Sequence, residues 1–175
     1  KNGKSALILA ALKGHAPCVT ALINAKANID LQTNEGGSAL IVAALNGHAP
    51  CVTALIEAKA AVDLQTKNGV SALILAASHG HQPCVTALIE AKASVDLQAK
   101  NGKSALICAA LNGHSACVTA LIEAKASVDL QSKDGSSALI LAALKGHAPC
   151  VTALLKAKAN VDLHDIHAQS ALILA

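Results

Sequence analysis

Three kinds of chemically able side chain recur along this sequence at a fixed interval of 33 residues: His15, His48, His81, His114 and His147; Cys18, Cys51, Cys84, Cys117 and Cys150; and Asp30, Asp63, Asp96, Asp129 and Asp162. Imidazole and thiolate bind metals, and paired carboxylates do acid–base work. Each needs its partners converging on one point. A ladder puts the same group in many equivalent places and converges on none, so the pattern predicts no catalytic residue, no metal site and no cofactor. Equivalent cysteines in stacked units stand about 8 to 10 Å apart, beyond the roughly 7 Å Cα separation a disulfide tolerates. The cysteine ladder, with Cys108 as an odd sixth, therefore reads as buried thiols acting as small hydrophobes. Free thiols lean towards a reducing compartment. The histidines follow Gly just before a helix, where they can serve turn backbone groups, and the aspartates are placed to accept backbone hydrogen bonds from a neighbouring turn. His79 with His81, and His164 with His167, are local pairs with no Cys or paired carboxylate nearby. A ladder of Thr20, Thr53, Thr86, Thr119 and Thr152 reads as a solvated face.

Composition narrows the function further. The 175 residues are 53% hydrophobic, carry a formal net charge of +3, and include no Trp, Tyr, Phe, Met or Arg. The chain is long enough and apolar enough to fold around a core. Its apolar runs, such as Ala6 to Leu12, are far short of the roughly 20 residues a spanning helix needs, which predicts no membrane insertion. Without arginine or aromatic stacking platforms, the small positive charge does not suit nucleic-acid binding.

What positions the ladders is a tandem array. Ser5, Ser38, Ser71, Ser104, Ser137 and Ser170 each open the word SALI, dividing the chain into units 1–33, 34–66, 67–99, 100–132 and 133–165 with a partial unit 166–175. Within the five full units 19 of the 33 columns are identical, and swaps such as Ile29 for Val62 or Leu9 for Cys108 look like drift after duplication. Each unit reads as turn, helix, tight turn, helix. Ser38 is an N-cap candidate for a short apolar helix that Gly47 ends, and Pro50 suits the first position of a second helix. Asn2-Gly3, Asn68-Gly69, Asn101-Gly102 and Asp134-Gly135 predict type I′ turns at hairpin-like tips between units. Helices of two turns cannot bury their apolar faces alone, so the fold must be an all-α solenoid of stacked helix-turn-helix units. The 39 alanines suit close approach of such short helices.

A 33-residue period with two short helices and a turn resembles the ankyrin repeat. Gly3, Leu7, Ala10, Ala11, Gly14, His15, Val19, Leu22, Ala27 and Val62, with their counterparts, fall where that family has the same residue types. Two departures are systematic. The family's Thr-Pro-Leu-His is Ser-Ala-Leu-Ile here, and the Gly that closes helix two is Lys26, Lys59, Lys92, Lys125 or Lys158. The second departure predicts strain or an altered cap.

The resemblance implies a non-catalytic scaffold that binds other proteins along its turn tips and the inner face of its first helices. The columns that vary fall there: Lys1, Asn2, Lys4 and Lys13; Asn34, Glu35 and Asn46; Lys67, Asn68, Val70, Ser78 and His79; Lys100, Asn101, Lys103 and Asn112; Lys133, Asp134, Ser136 and Lys145. Binding hot spots favour Trp, Tyr and Arg, so these positions predict a weakly held or acidic partner. Neither end reads as a polar capping unit. An alternative expectation follows, in which Leu7, Ile8 and Leu22 at one end meet Leu172 and Ile173 of another copy and the chains stack head to tail into a filament.

Overall fold

The structure, a computed structural model, describes residues 3–166 and 170–171. Among these residues are ten helices in five antiparallel pairs: α1 Ala6–Leu12, α2 Ala16–Asn24, α3 Ala39–Leu45, α4 Ala49–Glu57, α5 Ala72–Ser78, α6 Gln82–Glu90, α7 Ala105–Leu111, α8 Ser115–Glu123, α9 Ala138–Leu144 and α10 Ala148–Lys156. Odd-numbered helices pack on odd-numbered neighbours, even on even, and each pair packs internally, giving two layers. No described helix is long and apolar enough to cross a membrane.

Each seven-residue first helix begins where a serine hydroxyl takes up an orphan amide. Ile41 N–H donates to Ser38 Oγ at 3.3 Å, and the same bond recurs at Ser5, Ser71, Ser104 and Ser137. Each ends on a left-handed glycine. Gly47 (φ 72°) donates to Ala44 O and His48 to Ala43 O, the paired bonds of a Schellman cap. Pro50 is corrected by one place: Ala49 opens α4 after His48, and Pro50 is its second residue, still in the first turn where no intrahelical N–H bond is lost.

Helix two ends the same way, with lysine in the glycine's place. Lys59 takes φ 68°; its N–H donates to Ile56 O at 2.9 Å and that of Ala60 to Leu55 O at 3.0 Å. All five such lysines have φ between 62° and 68°, so the cap geometry is unaltered and the steric cost, about 1 to 2 kcal/mol for a left-handed L-residue, is borne at each.

The core lies between the layers. Leu55, Leu88, Leu121 and Leu154 are fully buried, with Cys51, Cys84, Cys117 and Cys150 beside them. Burying a leucine contributes about 1.5 to 3 kcal/mol, which helices of two turns obtain only from their neighbours. Cys18 departs from the expectation of a buried ladder: it is exposed, because no other unit of this chain packs on the outer side of α2. Burial raises the other thiols' pKa, to about 11 at Cys84 and Cys117, where neighbouring ladder thiols add to it. At Cys108 burial again raises the thiol, against a smaller opposing effect of Lys103.

Candidate interaction surface

The tips are built from one turn repeated. At the junction of the second and third units Thr66 N–H donates to Val70 O at 3.0 Å, Gly69 N–H donates to Thr66 O at 2.8 Å, and Val70 N–H donates to Thr66 Oγ1 at 3.1 Å. A type I′ turn would need Asn68 at positive φ, yet the described non-glycine residues with positive φ are the five cap lysines alone. The expected turn type is therefore corrected. Lys67-Asn68-Gly69 is a three-residue loop, a type I turn whose left-handed Gly69 (φ 74°) makes the bulge. Isolated bridges Gln65–Ser71 and Gln131–Ser137 close the hairpin-like base.

Successive tips are tied by backbone. Lys67 N–H donates to Glu35 O, Lys100 N–H to Asn68 O, Lys133 N–H to Asn101 O and Ile166 N–H to Asp134 O, at 2.9 to 3.0 Å. The approach is close enough that a Cβ on Gly102 would stand 2.5 Å from Lys133 N. Beneath the tips runs a side-chain ladder that sequence reasoning did not find. The amide of Gln98 donates to Gly102 O of its own tip and to Gln131 O of the next unit at 3.0 Å, and Gln32, Gln65 and Gln131 repeat the pattern. The recurrence of Gln at one column was its only signal.

The aspartate and histidine ladders also join units. Asp63 Oδ1 accepts from Ser94 N–H at 2.9 Å and Asp96 Oδ1 from Ser127 N–H at 2.8 Å, as expected of backbone acceptors. The Ser94 and Ser127 hydroxyls donate to the second carboxylate oxygens. The histidines bond not their own turn but the preceding unit. Nε2 of His48, His81, His114 and His147 lies 3.1 to 3.2 Å from the carbonyl oxygens of Leu12, Leu45, Ser78 and Leu111. A carbonyl only accepts, so Nε2 carries the proton in these bonds.

Most of the candidate partner-binding positions are exposed, including Lys4, Lys13, Asn34, Asn46, Asn68, His79, Lys100, Asn101, Asn112 and Lys145. Val70, Ser78 and Lys103 are half-buried. Ser136 is corrected: it is buried, its carbonyl accepting from the Ser132 hydroxyl at 2.9 Å, and it offers no contact surface. Lys1 and Asn2 lie outside the described residues. Lys4, Asn34 and Glu35 are brought together with Ile8, Leu12, Thr33 and Val42 around a groove of about 360 Å³ between α1 and the next tip. Asn112 Nδ2 donates to Ser78 Oγ at 3.3 Å, and the rings of His79 and His81 stack 6.0 Å apart. Lys67 and Glu35 pair at 3.9 Å while both stay largely in water, an arrangement worth little. Asp134 has its pKa lowered, first by the hydrogen bond from the Ser132 hydroxyl and then by Ser136 N–H. No group of three His, Cys, Asp or Glu among the described residues could hold a metal.

The alternative end contacts fare differently. Leu7 and Ile8 are only 2% and 1% exposed, covered by α2 and α3, so they cannot meet another copy, and that part of the expectation is corrected. The outward apolar residues of the first unit instead include Leu9, Cys18 and Leu31, with Leu22 half-buried. Leu172 and Ile173 lie outside the described residues.

Family models described as "Ankyrin repeats (3 copies)" match residues 1–66 and 46–132, and one described as "Ankyrin repeats (many copies)" matches residues 121–175. The chain belongs to the ankyrin-repeat family. Ankyrin repeats mediate binding to other proteins, generally without catalysis, and this array is a protein–protein interaction domain. Comparison with curated proteins returns no match. Within the ankyrin framework, Ser-Ala-Leu-Ile keeps the serine cap and adds an aliphatic residue, Ile41 and its counterparts, to the core.

Proposed function

We propose that the five units 1–33, 34–66, 67–99, 100–132 and 133–165, with the partial unit 166–175, act as one non-catalytic scaffold that holds a partner protein along its tips and first helices. The observation that carries this is the groove between α1 and the second tip. There Lys4, Asn34 and Glu35, positions where the units differ, line the same depression as the apolar side chains of Ile8, Leu12 and Val42. The identical serine, aspartate and histidine columns build and join the stack, and most of the variable columns are exposed. Photo-reactive residues at Asn46, Asn68 or Asn112 should cross-link a partner protein, and the same residues at Thr53 or Thr119 on the helix-two side should not. Cross-links confined to the threonines would overturn this reading.

A second reading, head-to-tail association, rests on a different observation. Leu9 is 46% exposed where its counterparts Val42, Leu75 and Cys108 are half-buried and Leu141 is 8% exposed, so an apolar position that later units cover in part is more open in the first unit. A further unit or a second copy could cover it equally well. Sedimentation across a wide concentration range separates the two: a constant monomer leaves the scaffold alone, and growth into long particles supports stacking.

A further inference from the structure

The charge of this chain is sorted between its two sides. Lys67, Lys100 and Lys133 stand at tip apices, Lys4 and Lys103 on the return limbs of tips, and Lys13 and Lys145 at the ends of first helices. Among the described residues these seven lysines face three carboxylates on the same elements: Glu35, Asp134 and Asp165. Glu35 already pairs with Lys67, and Asp134 is held by Ser132 and Ser136. Helix two and the loop after it carry six lysines against eight acidic residues, so the net positive charge belongs to the tips and first helices. Between the lysines the same side is aliphatic: Leu12, Val42, Leu45, Leu75, Cys108 and Leu111 are all half-buried.

Resting on the scaffold reading above, we propose that this side takes an extended acidic segment of another protein, with a carboxylate at every third residue and aliphatic side chains between. The spacing comes from the stack. Lys67, Lys100 and Lys133 occupy the same column of consecutive units, about 8 to 10 Å apart by helix packing. An extended polyproline II chain advances about 9.3 Å per turn of three residues, so one carboxylate per turn meets one lysine per unit. The half-buried leucines select a peptide over a polyphosphate, because a nucleic acid has no aliphatic side chains to lay on them, and there is no aromatic ring here for a base to stack on.

The test is fluorescence anisotropy of the whole chain with labelled 12-residue probes: four repeats of Glu-Pro-Leu, four of Lys-Pro-Leu, a shuffled peptide of the first composition with its glutamates paired, and oligouridylate. The Glu-Pro-Leu peptide should bind best. Its Kd should rise roughly tenfold on reversing Lys67, Lys100 and Lys133 to Glu, substitutions of exposed side chains that leave the fold intact by circular dichroism, and should rise with salt. The shuffled peptide should bind more weakly. Equal binding of the Lys-Pro-Leu or shuffled peptide, indifference to the three reversals, or no binding of any peptide overturns the proposal and leaves the scaffold reading standing on its cross-links. Oligouridylate binding as tightly as Glu-Pro-Leu overturns it in favour of a general polyanion site.

Discussion

Nε2 of His81 lies 3.1 Å from the carbonyl oxygen of Leu45, 36 residues earlier, at the end of the preceding unit's first helix. The ring sits so close to Gly47 that a Cβ there would meet Nδ1 at 2.6 Å. One imidazole thus satisfies an orphan helix carbonyl and requires a glycine in the neighbouring unit. Removing it leaves the carbonyl half-buried without its donor. His81→Ala should cost about 1 to 2 kcal/mol in urea unfolding, and His81→Gln should restore part of it. His15, exposed and without such a bond among the described residues, is the internal control; its alanine variant should cost less.

Lys59 holds φ 68° at a cost of about 1 to 2 kcal/mol, partly offset by a cation at a helix C-terminus worth roughly 0.3 to 1 kcal/mol. Glycine relieves the first and forfeits the second, and it adds chain entropy to the unfolded state. Lys59→Gly should therefore raise stability by less than about 1 kcal/mol, read as a small increase in Tm. A clear decrease would mean that the lysine side chain holds the cap by contacts stronger than its charge.

Native thiol titration should label Cys18 promptly and the buried Cys51, Cys84, Cys117 and Cys150 only after denaturant is added. Because burial raises the folded thiols above their unfolded value of 9.0, the stability they contribute is whole below pH 9 and falls as pH rises towards about 11, where Cys84 and Cys117 ionise. Cys84→Val should keep the fold, whereas Cys84→Asp buries an unpaired charge and should unfold the central units. Equal labelling of all five ladder cysteines in the native state would contradict their placement.

The tips carry a sharper steric prediction. Gly102 combines φ 81° with a Cβ position 2.5 Å from Lys133 N, so Gly102→Ala must push apart two backbones tied by the Lys133 to Asn101 bond. Hydrogen exchange at the Lys133 amide should accelerate by at least about tenfold, with a stability loss of about 2 kcal/mol. Gly37, with no positive φ and only side-chain atoms near its Cβ position, Thr33 Oγ1 at 3.3 Å and Val42 Cγ1 at 3.8 Å, should accept alanine at far smaller cost.

The period, the helix pairs and the serine caps were legible because each rests on local chemistry that recurs five times. At the lysines the resemblance left strain and an altered cap both open, and the φ of 62° to 68° decides for strain. The turn type was not legible, since Asn68-Gly69 suits both a two-residue and a three-residue loop, and a single bridge such as Gln65–Ser71 is too short to fix the register. The histidine's bond was hidden for another reason: its acceptor is a backbone carbonyl, which leaves no mark on the sequence at Leu45. Ser136, Leu7 and Cys18 were misplaced because a column was read as one environment. Exposure depends on which neighbour covers a unit, and Leu7 is covered from the following unit while Cys18 needed the preceding one. Of the binding surface, the variable columns could be read; the aliphatic floor beneath them, at Leu12 and Val42, needed the groove.

The most direct test compares two multiple variants of the whole chain against a purified partner identified by cross-linking. One replaces Asn46, Asn68, Asn101, Asn112 and Lys133 with alanine; the other replaces Thr53, Thr86, Thr119 and Thr152 with alanine on the helix-two side. Both sets touch mainly exposed side chains, so both proteins should fold. The account predicts that the first loses affinity by at least about tenfold and the second keeps it within about twofold. Unchanged affinity in the first, with loss in the second, would contradict it and move recognition to the helix-two face.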